Sequence, residues 1–155
     1  QQEVEWVTAL DFDPVFIADA EQRMAQAWPM SVAVHDMLSG PFPAGQPHRF
    51  DGAFTLDVIE HIAPADEEAF VANLAESLTD NGVLIVGSPS LASQAYASPA
   101  SKAGHINCKT AAELKGLLAR HFGNVFVFSM NDEVVHTGYH QMAHYYFALC
   151  CGPKR

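Results

Sequence analysis

Phe50-Asp51-Gly52-Ala53-Phe54-Thr55-Leu56-Asp57-Val58-Ile59-Glu60-His61-Ile62 is answered further along by Asn81-Gly82-Val83-Leu84-Ile85-Val86-Gly87-Ser88-Pro89-Ser90. Each stretch holds a short apolar strand, and the first breaks at its C-terminal end into acidic and imidazole side chains. Ligands of open α/β sheets sit outside the carboxyl ends of the strands. A strand ending in Asp57, with Glu60 and His61 one turn on, therefore puts reactive groups where such folds keep them. Val83 to Val86 is apolar throughout, as suits a parallel strand covered on both faces.

The same rhythm runs outward in both directions. Val4 to Leu10 reads as a buried strand ending at Asp11, and Asp13-Pro14 starts a helix with Asp13 as N-cap and Pro14 at its first position. That helix stops before Pro29. Met30 to Val34 is a second strand, closed by His35-Asp36, and the Gly- and Pro-rich segment from Ser39 to His48 is loop. After the third strand, Ala65-Asp66-Glu67-Glu68 brings acidic residues to a helix start, where they favour the dipole. The helix runs to about Leu78 and ends in the turn signal Asp80-Asn81-Gly82. Leu91 to Ile106 reads as a long loop over the carboxyl edge of the sheet. Thr110 caps a helix through Phe122, with Glu113 completing a capping box. Asn124 to Met130 and Ala143 to Cys151 are two closing strands with no helix between them, so they pair antiparallel.

Strand-helix alternation implies a parallel sheet with right-handed crossovers. The expected fold is α/β: a three-layer, Rossmann-like, mostly parallel sheet with a C-terminal antiparallel hairpin, forming a single domain over residues 1–155. The 155-residue length suffices for a real core, and 49% apolar with 17% charged residues suits a compact globule. A formal charge of -10 argues against nonspecific nucleic-acid binding, which depends on Lys and Arg. No apolar run is long enough for a membrane helix. Three cysteines without a CxxC, two of them adjacent, read as free thiols in a reducing, cytoplasmic setting.

Asp11 is the strongest single functional candidate, because a carboxylate at that strand end can accept hydrogen bonds from both ribose hydroxyls of an adenosine cofactor. The same Asp11-Phe12-Asp13-Pro14 run also serves as a turn and helix cap. His61 and His105 are candidate catalytic bases, the first on the turn after the third strand and the second in the long loop. His136, His140 and His144 lie four apart, but their context does not support a helix, and no metal site is expected. Asn131-Asp132-Glu133 faces either the substrate mouth or solvent.

In order and spacing these segments resemble the class I (Rossmann-like) S-adenosylmethionine-dependent methyltransferases. Val7 to Pro14 looks like that family's second strand and its acidic ribose-binding turn, so the resemblance implies Asp11 on the ribose and Phe12 on the adenine. His35-Asp36-Met37 resembles the next motif, implying Asp36 on the adenine amino group and Met37 against the ring. Phe50 to Ile62 resembles the fourth-strand motif, where Leu56 and Asp57 would line the methionine end of the cofactor. One departure stands out. The family's glycine-rich loop is absent, since no G-x-G occurs, and the chain opens at what should be strand two. A first strand, its loop and a helix would take on the order of 30 to 40 residues. The expectation is therefore a domain lacking its N-terminal strand, with weak cofactor binding or an upstream segment that supplies the loop.

The resemblance implies methyl transfer from S-adenosyl-L-methionine, with oxygen of a small-molecule or saccharide-type acceptor as the target. A non-catalytic binding module that retains the fold is the alternative. A nicotinamide-dependent dehydrogenase is a third reading, disfavoured by the terminal antiparallel pair and the missing glycine-rich loop.

Overall fold

The computed structural model describes residues 4–43, 49–132, 134–137 and 139–155. Part of the Ser39–His48 loop, and Glu133 and Gly138 of the last connection, lie outside these residues. The elements run β1 (Val7–Asp11), α1 (Pro14–Arg23), β2 (Met30–Val34), β3 (Phe50–Leu56), a 3-10 turn (Ile59–His61), α2 (Glu67–Glu76) and β4 (Leu78–Pro89). A second 3-10 turn (Ala92–Tyr96), α3 (Pro99–Gly104), α4 (Ala111–His121), β5 (Phe122–Asn131), β6 (Val134–His136), a third 3-10 turn (His140–Met142) and β7 (Tyr145–Pro153) follow.

Local chemistry explains the helix starts. The Asp13 carboxylate accepts from the Val15 amide at 2.8 Å, ahead of Pro14 at the first helical position. At α4 the box closes in both directions. Glu113 N–H donates to Thr110 Oγ1 at 3.3 Å and Thr110 N–H to Glu113 Oε2 at 2.8 Å.

Two sheets form. β1 and β2 pair in parallel, and a five-stranded sheet runs β3-β4-β7-β5-β6. Within the latter β3 and β4 are parallel, whereas β7 is antiparallel to both β4 and β5. The expected terminal antiparallel pair is thus present, with β7 between β4 and β5. The outer edges of β1 and β3 have no strand partner among the described residues. Residues 35–42 tie the sheets together. Asn73 Nδ2 donates to the Met37 carbonyl at 2.6 Å, the Phe42 amide donates to Ser77 Oγ at 3.0 Å, and the Phe42 ring stacks on Phe50.

The core lies between α2, α4 and one face of the large sheet. Leu84, Val86, Ala148, Cys150 and Val125 point to that face and meet Phe70, Val71, Leu74, Leu114, Leu117 and Leu118. A fully buried leucine such as Leu118 is worth about 2–3 kcal/mol of burial free energy. On the opposite face, in register with one another, Phe54, Ile85 and Phe126 remain exposed.

Two local expectations change. Asp80-Asn81-Gly82 does not end a helix but lies inside β4, because Leu78 already pairs with Phe50 and the register shifts between Phe50 and Gly52. The chain folds so tightly there that a Cβ on Gly82 would sit 2.7 Å from Leu78 Cβ and 2.9 Å from the Thr79 carbonyl. The Leu91–Ile106 segment is not simply loop. It carries a 3-10 turn and α3, whose start is capped by Ser98 accepting from the Ser101 amide at 3.1 Å.

Candidate functional site

Three acidic residues stand where parallel strands end. Asp11 closes β1, and its Oδ1 accepts from the Asp13 amide at 2.8 Å, leaving the rest of a half-buried carboxylate available. Phe12, beside it, is 73% exposed. Asp36 follows β2 and accepts from the Leu38 amide at 2.8 Å. Its neighbour Met37 packs on the hydrophobic core. Asp57 follows β3 with φ of 54°, a left-handed conformation that Asp tolerates better than most side chains, and its amide donates to the Gly87 carbonyl at 3.1 Å. Leu56 remains partly exposed against Gly87, where an added Cβ would come within 2.6 Å of both Leu56 Cδ2 and Tyr145 Oη. Burial, and then the negative charge of Asp57, push the Tyr145 phenol up, so it stays protonated as a hydrogen-bond donor.

One turn beyond Asp57 the structure gathers Glu60, His61 and His105. The candidate ligand atoms of the three all lie within 4.8 Å of one another. The two imidazoles meet edge to face with centroids 5.1 Å apart. His61 Nδ1 lies 2.9 Å from the Gly104 carbonyl, and His105 Nδ1 lies 3.0 Å from Gln94 Oε1. Both partners can only accept, so each Nδ1 carries a proton and Nε2 is the nitrogen each ring has outside that bond. Glu60 is fully buried. Its Oε2 accepts from Ser88 Oγ at 3.2 Å, while Oε1 has no hydrogen-bond partner. Burial holds this carboxyl above the usual range, opposed by its own backbone amide.

A polar clamp holds the segment that carries His105. Asn107 N–H donates to the Glu60 carbonyl at 2.9 Å, and its side-chain amide donates to the Ile62 carbonyl and to Glu67 Oε2. Lys109 Nζ bonds Glu67 Oε2 at 2.5 Å and Asn107 Oδ1 at 2.7 Å. Burial opposes charge on Glu67, but the hydrogen bonds from Lys109 and Asn107 prevail and draw its carboxyl below the ordinary value. Cys108 in the same segment is held toward the thiol form. Burial, followed by the charge of Glu60, pushes its thiol up to about 11.

The structure therefore brings His61 and His105 together, although the sequence offers them as separate candidates. Glu60, already read beside His61 one turn past Asp57, joins them, whereas Gln94 and Ser88 are invisible to spacing, since residues far apart in sequence meet here. His136, His140 and His144 are dispersed over β6, a 3-10 turn and the following residues. His140 bonds Ser129 Oγ and His144 bonds Asn131 Oδ1, each a local contact.

A family model described as "Methyltransferase domain" matches residues 3–84, just over half of the chain. No protein of curated function matches. Among solved structures, the chain resembles the N-methyltransferase NodS of Bradyrhizobium japonicum in complex with S-adenosyl-L-homocysteine (TM-score 0.63, 19% identity, 95% of this chain and 66% of that one). It also resembles a TehB-like SAM-dependent methyltransferase of Corynebacterium glutamicum (TM-score 0.65, 17% identity, 94% of this chain and 67% of that one). A third resemblance is to the CMeT domain of the citrinin polyketide synthase (TM-score 0.69, 14% identity, 96% of this chain and 39% of that one). At these identities the likeness is one of fold.

Proposed function

Because the chain belongs to the methyltransferase-domain family, whose class I members take their methyl group from S-adenosylmethionine, we propose that its strand ends form a cofactor wall facing the Glu60–His61–His105 cluster. In this reading Asp11 binds the ribose and Phe12 covers the adenine. Asp36 receives the adenine amino group with Met37 beside it, and Leu56 and Asp57 flank the methionine end. The cluster activates an acceptor hydroxyl, so that the reaction is O-methylation of a small-molecule or saccharide-type acceptor. The sulfonium already activates the methyl group, and the protein's task is to align the acceptor oxygen with the S–C bond and remove its proton.

The observation that carries this reading is Asp11. It is a half-buried carboxylate at the end of a parallel strand, held by one backbone amide and flanked by an uncovered aromatic ring. S-adenosylhomocysteine, at a concentration high enough for the weak binding expected without the glycine-rich loop, is expected to raise the melting temperature, and reduced nicotinamide dinucleotide is not. Asp11→Ala should abolish the rise without unfolding the protein. An unchanged rise in the variant removes the ribose assignment, and a shift by the nicotinamide nucleotide alone removes the methyl-transfer reading.

A further inference from the structure

Glu60 presents an unusual balance. A carboxylate removed from water ordinarily finds a partner for each oxygen, since an unpaired buried polar atom costs about 1–3 kcal/mol and a charged one more. Here Ser88 satisfies Oε2 alone, Oε1 is bare, and the carboxyl is clustered with two imidazoles. Gly104 and Gln94 engage each Nδ1, which leaves Nε2 as the ring nitrogen available to an ion. The Gln94 orientation follows from its own bonds, since its Nε2 donates to the Ser90 carbonyl and its Oε1 is therefore the end that meets His105. One carboxyl with a bare oxygen and two imidazoles thus converge. A cation held between them gives the bare Glu60 oxygen the partner it lacks.

We propose that Glu60, His61 and His105 bind one divalent transition-metal ion, of the zinc, iron(II) or manganese class, through Glu60 Oε1 and the two imidazole Nε2 atoms. Two imidazoles and one carboxylate are the donor set of catalytic zinc and of facial non-haem iron sites, which keep coordination positions open. Outer-shell support is already in place. Ligating histidines almost always donate their second N–H to a carbonyl or carboxylate, and both do so here. Two metal–ligand bonds of about 2.1 Å separate their donor atoms by about 4.2 Å at most. The 4.8 Å spread of the cluster therefore closes with small side-chain rotations, which His61 and His105 are exposed enough to make.

The ion's role in catalysis rests on the methyl-transfer reading; its binding does not. An acceptor hydroxyl on an open position would lose its proton to solvent near neutral pH, as metal-bound water does. The resulting oxygen attacks the sulfonium methyl. The C–O bond forms as the S–C bond breaks, and its electron pair stays on sulfur as the neutral thioether.

The test is titration of the chelator-treated chain with Co(II), followed by visible d–d absorption and by calorimetry with Zn(II) in competition. One equivalent should bind and be displaced by zinc. Glu60→Gln and His105→Ala should each weaken binding at least tenfold, and His144→Ala should not. His105→Ala, in a surface segment, serves should the buried Glu60 substitution fail to fold. Absence of stoichiometric binding overturns the proposal, as does wild-type affinity in His105→Ala. The melting-temperature response to S-adenosylhomocysteine, measured on the metal-free chain, reads the methyl-transfer assignment separately.

Discussion

Replacing Lys109 by Met keeps an unbranched apolar stem of similar length and deletes the ammonium from the clamp that holds the His105 segment. The Lys109 and Glu67 side chains are 11% and 18% exposed, so this pair lies much closer to the buried limit than to the surface one. Breaking a fully buried pair costs about 3–5 kcal/mol, and a surface pair contributes about 0–1. Glu67 keeps its 2.8 Å bond from Asn107 and some water, which lowers the cost. The expected loss is about 2–3 kcal/mol at pH 7, or roughly 4–12 °C in melting temperature for a domain of this size.

The pH dependence gives a second, independent reading. Glu67 has its carboxyl drawn down in the folded state, so its stabilisation is fully present above the unfolded value of about 4.3 and fades as pH falls through the folded one. The difference between wild type and Lys109→Met should therefore shrink in acid. Urea unfolding followed by circular dichroism at pH 7 and at stepwise lower pH measures both quantities. A loss under 1 kcal/mol at pH 7, or one that does not diminish below the carboxylate range, would refute the view that this pair anchors the segment.

Further expectations follow from packing. Leu118→Ala, at a position with no solvent exposure, should cost about 3–4 kcal/mol in the same unfolding assay, because neighbours on α2 and β5 can collapse only partly into the void. Gly87→Ala should cost about 1 kcal/mol of stability, since the new Cβ meets movable side-chain atoms of Leu56 and Tyr145. The same substitution should diminish the S-adenosylhomocysteine-induced rise in melting temperature, by displacing Leu56 from the strand end. A full response would detach Leu56 from the cofactor wall.

Much of the architecture was legible because it is encoded locally. Asp13-Pro14 and the Thr110–Glu113 box announce helices through hydrogen bonds made within a single turn, and both occur as read. The run Val83 to Val86 announces a strand and lies in β4, but only Leu84 and Val86 are buried, while Ile85 stays exposed on the face that no helix covers. Where the reading slipped, long-range pairing overrode a local signal. Asp80-Asn81-Gly82 looks like a stop, yet the Phe50–Leu78 pairing draws it into β4. Ser98-Pro99 was an available helix signal inside Leu91–Ile106, masked by the small and polar residues around it.

The candidate site divides along the same line. Sequence by itself determined that Asp11, Asp36 and Asp57 stand at strand ends, since strand periodicity and the breaks after it are properties of adjacent residues. It also determined the kinship, because those motifs keep their order and spacing along the chain. Tertiary structure alone decided that Glu60 is buried with one oxygen unpaired, and that His61 and His105 gather beside it with each Nδ1 already engaged. That arrangement depends on Gly104 and Gln94, which belong to the segment that follows β4 in the chain. No spacing rule can show it, because the proton on each imidazole is placed by a partner distant in sequence.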